Sequence, residues 1–286
     1  MNLNLLGNLG ILSDNVVRKY HIEVISKYSI SDRPLFDVCS NMEMSIVHRG
    51  ISGEYDTLEI EILQQNNSYG LEFVEPKYLK LMDEVNNIQS HLLISMDKEG
   101  KIRDVLNFPE LHEKWEQIKE KIDVSSQEMS KIVKDGDEEY SKGTNNFAEQ
   151  LNKTTLYRAL GLGLLSFDKA KDFCNVINYD TPSLLFPNIV NRITIERDDV
   201  VHFNDTPATL QVYKSVKGGT RSKMQSEFIK SFPFLKRQMG EYKFDLFCTV
   251  EKDNETFWPN SLDFAVSESI SPLLSDVTCK IELIKD

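Results

Sequence analysis

The feature that most constrains this chain is a hydrophobic pattern with a period of two, sustained over long stretches. "RKYHIEVISKYSI" (18–30) alternates apolar and polar side chains, and so does "FDVCSNMEMSIVHRG" (36–50). Successive side chains of an extended strand point to opposite faces, so this alternation puts one face in a core and the other in water. "DTLEIEILQQNNSYGLEFV" (56–74) repeats the pattern around an Asn-Asn-Ser step that reads as a turn. These stretches predict antiparallel strands joined by polar turns.

The period then changes. In "EPKYLKLMDEVNNIQSHL", Tyr78, Leu81, Val85 and Ile88 fall on one helical stripe, with Pro76 near the first turn. "LLISMDKEGKIRDVLN" reads as a hairpin turning at Asp97-Lys98-Glu99-Gly100. Asn107 stands where it would cap the next helix, followed by Pro109 and Glu110. Leu111, Trp115, Ile118 and Ile122 share a face of that helix, which predicts Trp115 fixing it to the strand of Ile102, with His112 and Glu113 in water. Residues 107–149 carry eleven acidic against six basic side chains, and Gly136 and "KGTNN" break the pattern. They read as a solvated helical segment or hinge. Beyond them Leu151, Leu156, Leu160 and Leu164 line one face, where Gly161 and Gly163 weaken a helix or permit close approach.

"YDTPSLLFPNIVNR", with two prolines among apolar residues, marks a boundary near residue 185. After it "RITIERDDVVHF", "ATLQVYKSV", "YKFDLFCTVEKD", "LDFAVSES" and "VTCKIELIKD" return to strand character, interrupted by the helical "KGGTRSKMQSEFIKSFPFLKRQMG". The expected fold class is α+β: two antiparallel-sheet regions with a central helical segment. The division is an N-terminal α+β domain (1–185) and a C-terminal β-rich domain with one helix (186–286).

A net charge of −12 argues against nucleic-acid binding, which needs clustered cations. Cys39, Cys174, Cys248 and Cys279 are far apart, as buried free thiols in a reducing cytoplasm would be. The apolar N-terminus lacks the basic start of a signal peptide and is too interrupted to span a bilayer. It reads as an arm packed on its own domain or on a partner. "GLGLL" (161–165) lacks the third glycine and the flanking strand of a dinucleotide loop. "VKGGTR" (216–221) offers backbone N–H groups to an anion, but a plain turn accounts for it equally well. His21, His48, His91, His112 and His202 show no metal-ligand spacing, and Asp198-Asp199 reads as a turn. The expectation is a chain with no catalytic residue, cofactor or metal, acting without enzymatic chemistry.

One basic island stands out, with Lys217, Arg221, Lys223, Lys236 and Arg237 interleaved with Phe228, Phe232 and Phe234. Together with Leu3, Leu5, Leu6 and Ile11 of the arm, these are the candidate partner-binding residues. The stretch "HLLISMDKEGKIRDVLNFPELHEKWEQIKEKI", through Gly100, Lys101, Ile102, Asn107 and Trp115, resembles uncharacterised proteins of Bacteroidota-type bacteria, as does "LLFPNI". The resemblance covers residues 18–190. Some of those proteins are encoded near contractile injection or type VI-like secretion genes. The resemblance therefore implies an adaptor, chaperone or assembly component that binds another protein, such as a secreted effector or a part of the apparatus. The alternative is a carrier for an apolar small ligand, with "ALGLGLLSF" closing a cavity over a curved sheet.

Overall fold

The computed structural model describes residues 15–31, 33–70, 76–164, 176–186, 188–203, 207–217, 221–253, 256 and 258–285. Three long strands open the fold, β1 (Val17–Ile30), β2 (Arg33–Ser52) and β3 (Tyr55–Tyr69). Helix α1 (Pro76–Ile88) leads to the hairpin of β4 (His91–Met96) and β5 (Ile102–Val105). Four helices follow: α2 (Phe108–Lys119), α3 (Gln127–Ser141), α4 (Thr144–Leu151) and α5 (Thr155–Leu164). The second half contains β6 (Val176–Pro182), β7 (Val190–Phe203), β8 (Pro207–Lys217), α6 (Arg221–Ser231), a 3-10 turn (Pro233–Gln238), β9 (Tyr242–Asp253), β10 (Pro259–Ile270) and β11 (Leu273–Leu283).

All eleven strands form one antiparallel sheet in the order β5-β4-β3-β2-β1-β11-β10-β9-β8-β7-β6. The two expected sheet regions are two meanders fused into one sheet. They join where β1 pairs with β11, in register from Tyr20 opposite Leu283 to Ile30 opposite Leu273. The boundary placed near residue 185 falls between β6 and β7 of the second meander, so it separates no sheets. The Asn-Asn-Ser step is no turn, because it continues β3 opposite Ser40 and its neighbours on β2. A polar ladder holds it there: Ser40 donates to Asn67 Oδ1 at 2.7 Å and accepts from Gln65 at 3.2 Å. Asp198-Asp199 likewise lies inside β7, opposite Val212 and Gln211.

One face of the sheet is packed and the other wet. Tyr242, Phe244, Leu246, Cys248 and Val250 of β9 are buried, while Lys243, Asp245, Phe247 and Glu251 between them are exposed. The inner row continues through Leu262, Phe264 and Val266 of β10 and Val277, Cys279 and Ile281 of β11. It runs on to Ile22, Met44, Ile46, Leu58, Ile60 and Ile94 in the first meander. Register shifts at Glu43/Met44 and His48/Gly50 interrupt the long β2–β3 pairing, and bulges of this kind bend a strand.

The helices cover this inner face. Segment 107–149 has its own aromatic core and is not merely solvated: Phe108, Trp115, Tyr140 and Phe147 pack together, three of them buried. Trp115 pins α2 to α3. Its ring stacks on Tyr140 at 5.7 Å, its indole N–H donates to Asp137 at 3.0 Å, and Gly136 leaves room for the ring. His112 stacks on the other aromatic neighbours of this cluster, Tyr140 and Phe108, and stays half-exposed beside Glu116.

Asn107 does precede α2, but its side chain makes no cap hydrogen bond. Its amide extends the sheet instead, accepting from Leu93 N–H at 2.9 Å and donating to the His91 carbonyl at 3.1 Å. Asn152 does the same for β5, accepting from Ile102 N–H and donating to its carbonyl. Thr144 serves Val105 in the same way. Edge strand β5 thus has its outward backbone groups at Ile102 and Val105 occupied by side chains of this same chain.

Candidate functional site

The inner layer is largely apolar, and two of its buried charges, Arg158 and Glu268, lie on α5 and on the strand β10 beneath it. That helix is buried from Leu156 to Leu164 and carries one charge, Arg158. It packs on β9, β10 and β11. On another side Gly161 meets Gly100 in the β4–β5 turn, where an added Cβ would stand 2.3 Å from the facing carbonyl oxygen. Gly163 likewise gives way to Leu262. These are the close approaches that the two glycines implied. The sheet therefore reaches α5 from both of its halves.

Opposite Arg158 stands Glu268, fully buried on the inner face of β10. Its two oxygens collect five donors. Oε1 accepts from the Ser183 hydroxyl at 2.7 Å, the Tyr242 hydroxyl at 2.9 Å and the Asn191 amide at 3.3 Å. Oε2 accepts from the backbone N–H groups of Leu184 and Leu185. The Tyr242 hydroxyl also lies 3.1 Å from Asn191 Oδ1, but its single proton is better placed on the carboxylate, the stronger acceptor. Burial and the neighbouring Glu268 push the Tyr242 phenol far above its usual range. Ser183 in turn accepts from Phe186 N–H at 2.9 Å. The carboxylate thus ties down the turn between β6 and β7, the segment read as a domain boundary.

Arg158 has no such set of partners. Its guanidinium lies over the Phe264 ring, 5.4 Å from the centroid, and is 4% exposed as a residue. Nε, Nη1 and Nη2 are all buried without a hydrogen-bond acceptor. Burial lowers the guanidinium pKa, and the Tyr179 hydroxyl and Glu268 nearby offset part of that. Around it the inner face runs across paired positions Arg197, Tyr213, Cys248 and Phe264. Among the described residues, the buried Lys, Arg, Asp and Glu side chains are Arg158, Arg197, Lys252 and Glu268.

The residues proposed for partner binding are placed differently. Leu3, Leu5, Leu6 and Ile11 lie outside the described residues, as do the side chains of Lys217 and Arg221. Phe228 is fully buried, so it anchors α6 to the core and presents nothing outward. Phe232 is half-buried against Phe228, and Phe234 stands 76% exposed, edge-on to Phe232. Lys223, Lys236 and Arg237 are exposed around them. Buried His48 pairs with half-buried Asp56 across the β2–β3 hairpin at 2.8 Å. His91 pairs with Glu59, which also binds Arg49, and both partners hold the Glu59 carboxyl below its usual range. Among the described residues no group of three or more His, Cys, Asp and Glu is arranged to hold a metal ion. No helix of the described residues is long and apolar enough to cross a membrane.

No family model matches this chain, and no curated protein matches it. Among solved structures it aligns with lipovitellin, from a study of lipid–protein interactions, at a TM-score of 0.48 and 10% identity. That alignment covers 96% of this chain and 26% of lipovitellin, so the chain spans about a quarter of that protein's length. DynF, from the dynemicin biosynthesis pathway of Micromonospora chersina, aligns at a TM-score of 0.21 and 6% identity, over 98% of this chain and 90% of DynF. Neither score is high enough to assign a shared fold.

The site was partly written in the sequence. Glu268 occupies an inward position of the β10 alternation, after Leu262, Phe264 and Val266. Arg158 is the lone charge in an apolar decapeptide. A charge on the wrong side of a hydrophobic period was the signal to follow.

Proposed function

We propose that this protein is a carrier for an apolar small ligand, which it holds between α5 and the inner face of the sheet. The observation that carries the reading is α5 itself, a ten-residue helix buried from Leu156 to Leu164 and packed on β9, β10 and β11 of the sheet. A helix of that length has little stability of its own and depends on what surrounds it. Its glycines also reduce its intrinsic helix preference. Its stability therefore comes from the apolar surface it covers, and an alkyl chain offers that surface the same kind of contact. Native mass spectrometry after gentle extraction tests this: a retained small molecule, or saturable uptake of an alkyl-chain probe, is expected. A protein that takes up no probe at any concentration overturns it.

A second reading, an adaptor, chaperone or assembly component for another protein, is favoured by Phe234. A phenyl ring 76% exposed beside Lys236 and Arg237 suits a surface anchor for an acidic partner. Phe234→Ser combined with charge reversal at Lys236 and Arg237 should then abolish partner recovery. Unchanged recovery would count against this surface.

A further inference from the structure

We infer that the ligand carries one anionic headgroup, a carboxylate or a phosphate, and that Arg158 receives it. This rests on the carrier reading and names the chemical class of its cargo. A guanidinium offers five N–H donors in a rigid fork, along the edge of a flat group. Here one face of that group is taken up by the Phe264 ring. The edge is buried, and among the described residues, although Tyr179 lies close, no acceptor stands in hydrogen-bond geometry to any of its three nitrogens. A desolvated cation with unpaired donors is strongly unfavourable, so such an arrangement points to an acceptor that arrives from outside the chain.

Glu268 does not fill that role. Its oxygens are committed to Ser183, Leu184, Leu185, Asn191 and Tyr242, and it forms no ion pair with Arg158. A carboxylate or phosphate meets the guanidinium edge with two parallel hydrogen bonds. The attached chain then continues along the inner face, beside Leu262 and Val266, the buried neighbours of Phe264 on β10. An uncharged apolar molecule would leave the fork unpaired.

The test compares dodecanoate, dodecyl phosphate and dodecanol, titrated calorimetrically into the full chain and into Arg158→Met and Arg158→Lys. The full chain should bind at least one anion about 10- to 100-fold tighter than the alcohol, the worth of a charge-assisted pair. Arg158→Met should lose that preference and keep its affinity for dodecanol; Arg158→Lys should keep part of it. Equal affinities for all three probes in the full chain would overturn the headgroup assignment and leave the carrier reading standing. Failure to bind any probe would overturn the carrier reading and this inference with it. The empty protein supplies an independent readout, because Arg158→Met should melt at or above the temperature of the parent. A clear fall in melting temperature would mean that the guanidinium already has its partner inside the fold, and would refute the inference.

Discussion

Replacing Glu268 tests the physical account of the interior most directly. In Glu268→Ala five buried donors lose their acceptor. Two can partly recover: the Ser183 and Tyr242 hydroxyls rotate, the latter toward Asn191 Oδ1 at 3.1 Å. The N–H groups of Leu184 and Leu185 are fixed by the backbone. An unsatisfied buried donor costs about 1–3 kcal/mol, and breaking a buried charged network by removing one member costs about 3–5 kcal/mol. A loss of about 3–5 kcal/mol is therefore expected, a large share of an ordinary domain's stability. Glu268→Gln should cost far less, about 1–2 kcal/mol. Its amide oxygen can stay toward Leu184 and Leu185, while its NH2 faces the hydroxyls of Ser183 and Tyr242, which can turn to accept. Urea unfolding followed by the fluorescence of the buried Trp115 and Trp258 gives both values, provided the slope m is unchanged. An alanine variant within about 1 kcal/mol of the parent, or a glutamine variant as unstable as the alanine one, would refute the reasoning.

Three further outcomes are expected. Lys119 and Trp115 hold the Asp137 carboxyl below its usual range, so its stabilisation is present above about pH 4 and fades as pH falls through the depressed value. The half-exposed site limits this to under about 1 kcal/mol, and the gap in urea midpoint between parent and Asp137→Asn should be smaller at acid pH than at neutral pH. Burial pushes the Cys279 thiol up to about 12 and the Cys248 thiol higher still. Peptide mapping after thiol labelling at mildly alkaline pH should find both unmodified until denaturant is added. Gly161→Ala would raise helix propensity by about 1 kcal/mol yet place a Cβ 2.3 Å from the Gly100 carbonyl oxygen. A net loss of about 1–3 kcal/mol in a denaturation curve is expected, and a gain would show that the turn yields freely.

Most of the strands were legible because alternation is a local property. β1, β2 and β9 can be drawn from the sequence with little error. β6 was missed, since "VINYDTP" carries an Asp and a Pro and has no clear period. The Asn-Asn-Ser step misled because strand residues on a wet face look like turn residues, and only the length of β2 decides between them. Asn107 misled for a related reason: helix caps and strand-extending amides draw on the same residue type. The fusion of two meanders was out of reach, because the pairing of Tyr20 with Leu283 is set by shape across the whole chain. Trp115 was rightly placed in a core but wrongly partnered, since helix spacing says which face is buried and not against what.

The β1–β11 seam bears on how the protein is made. Synthesis delivers β1 first among these strands and β11 last, and until then one whole flank of β1 lacks its mate. Contacts that span nearly the entire polypeptide form slowly and leave greasy intermediates open to clumping. A nascent chain halted before residue 273 should therefore need chaperone protection that the finished molecule does not.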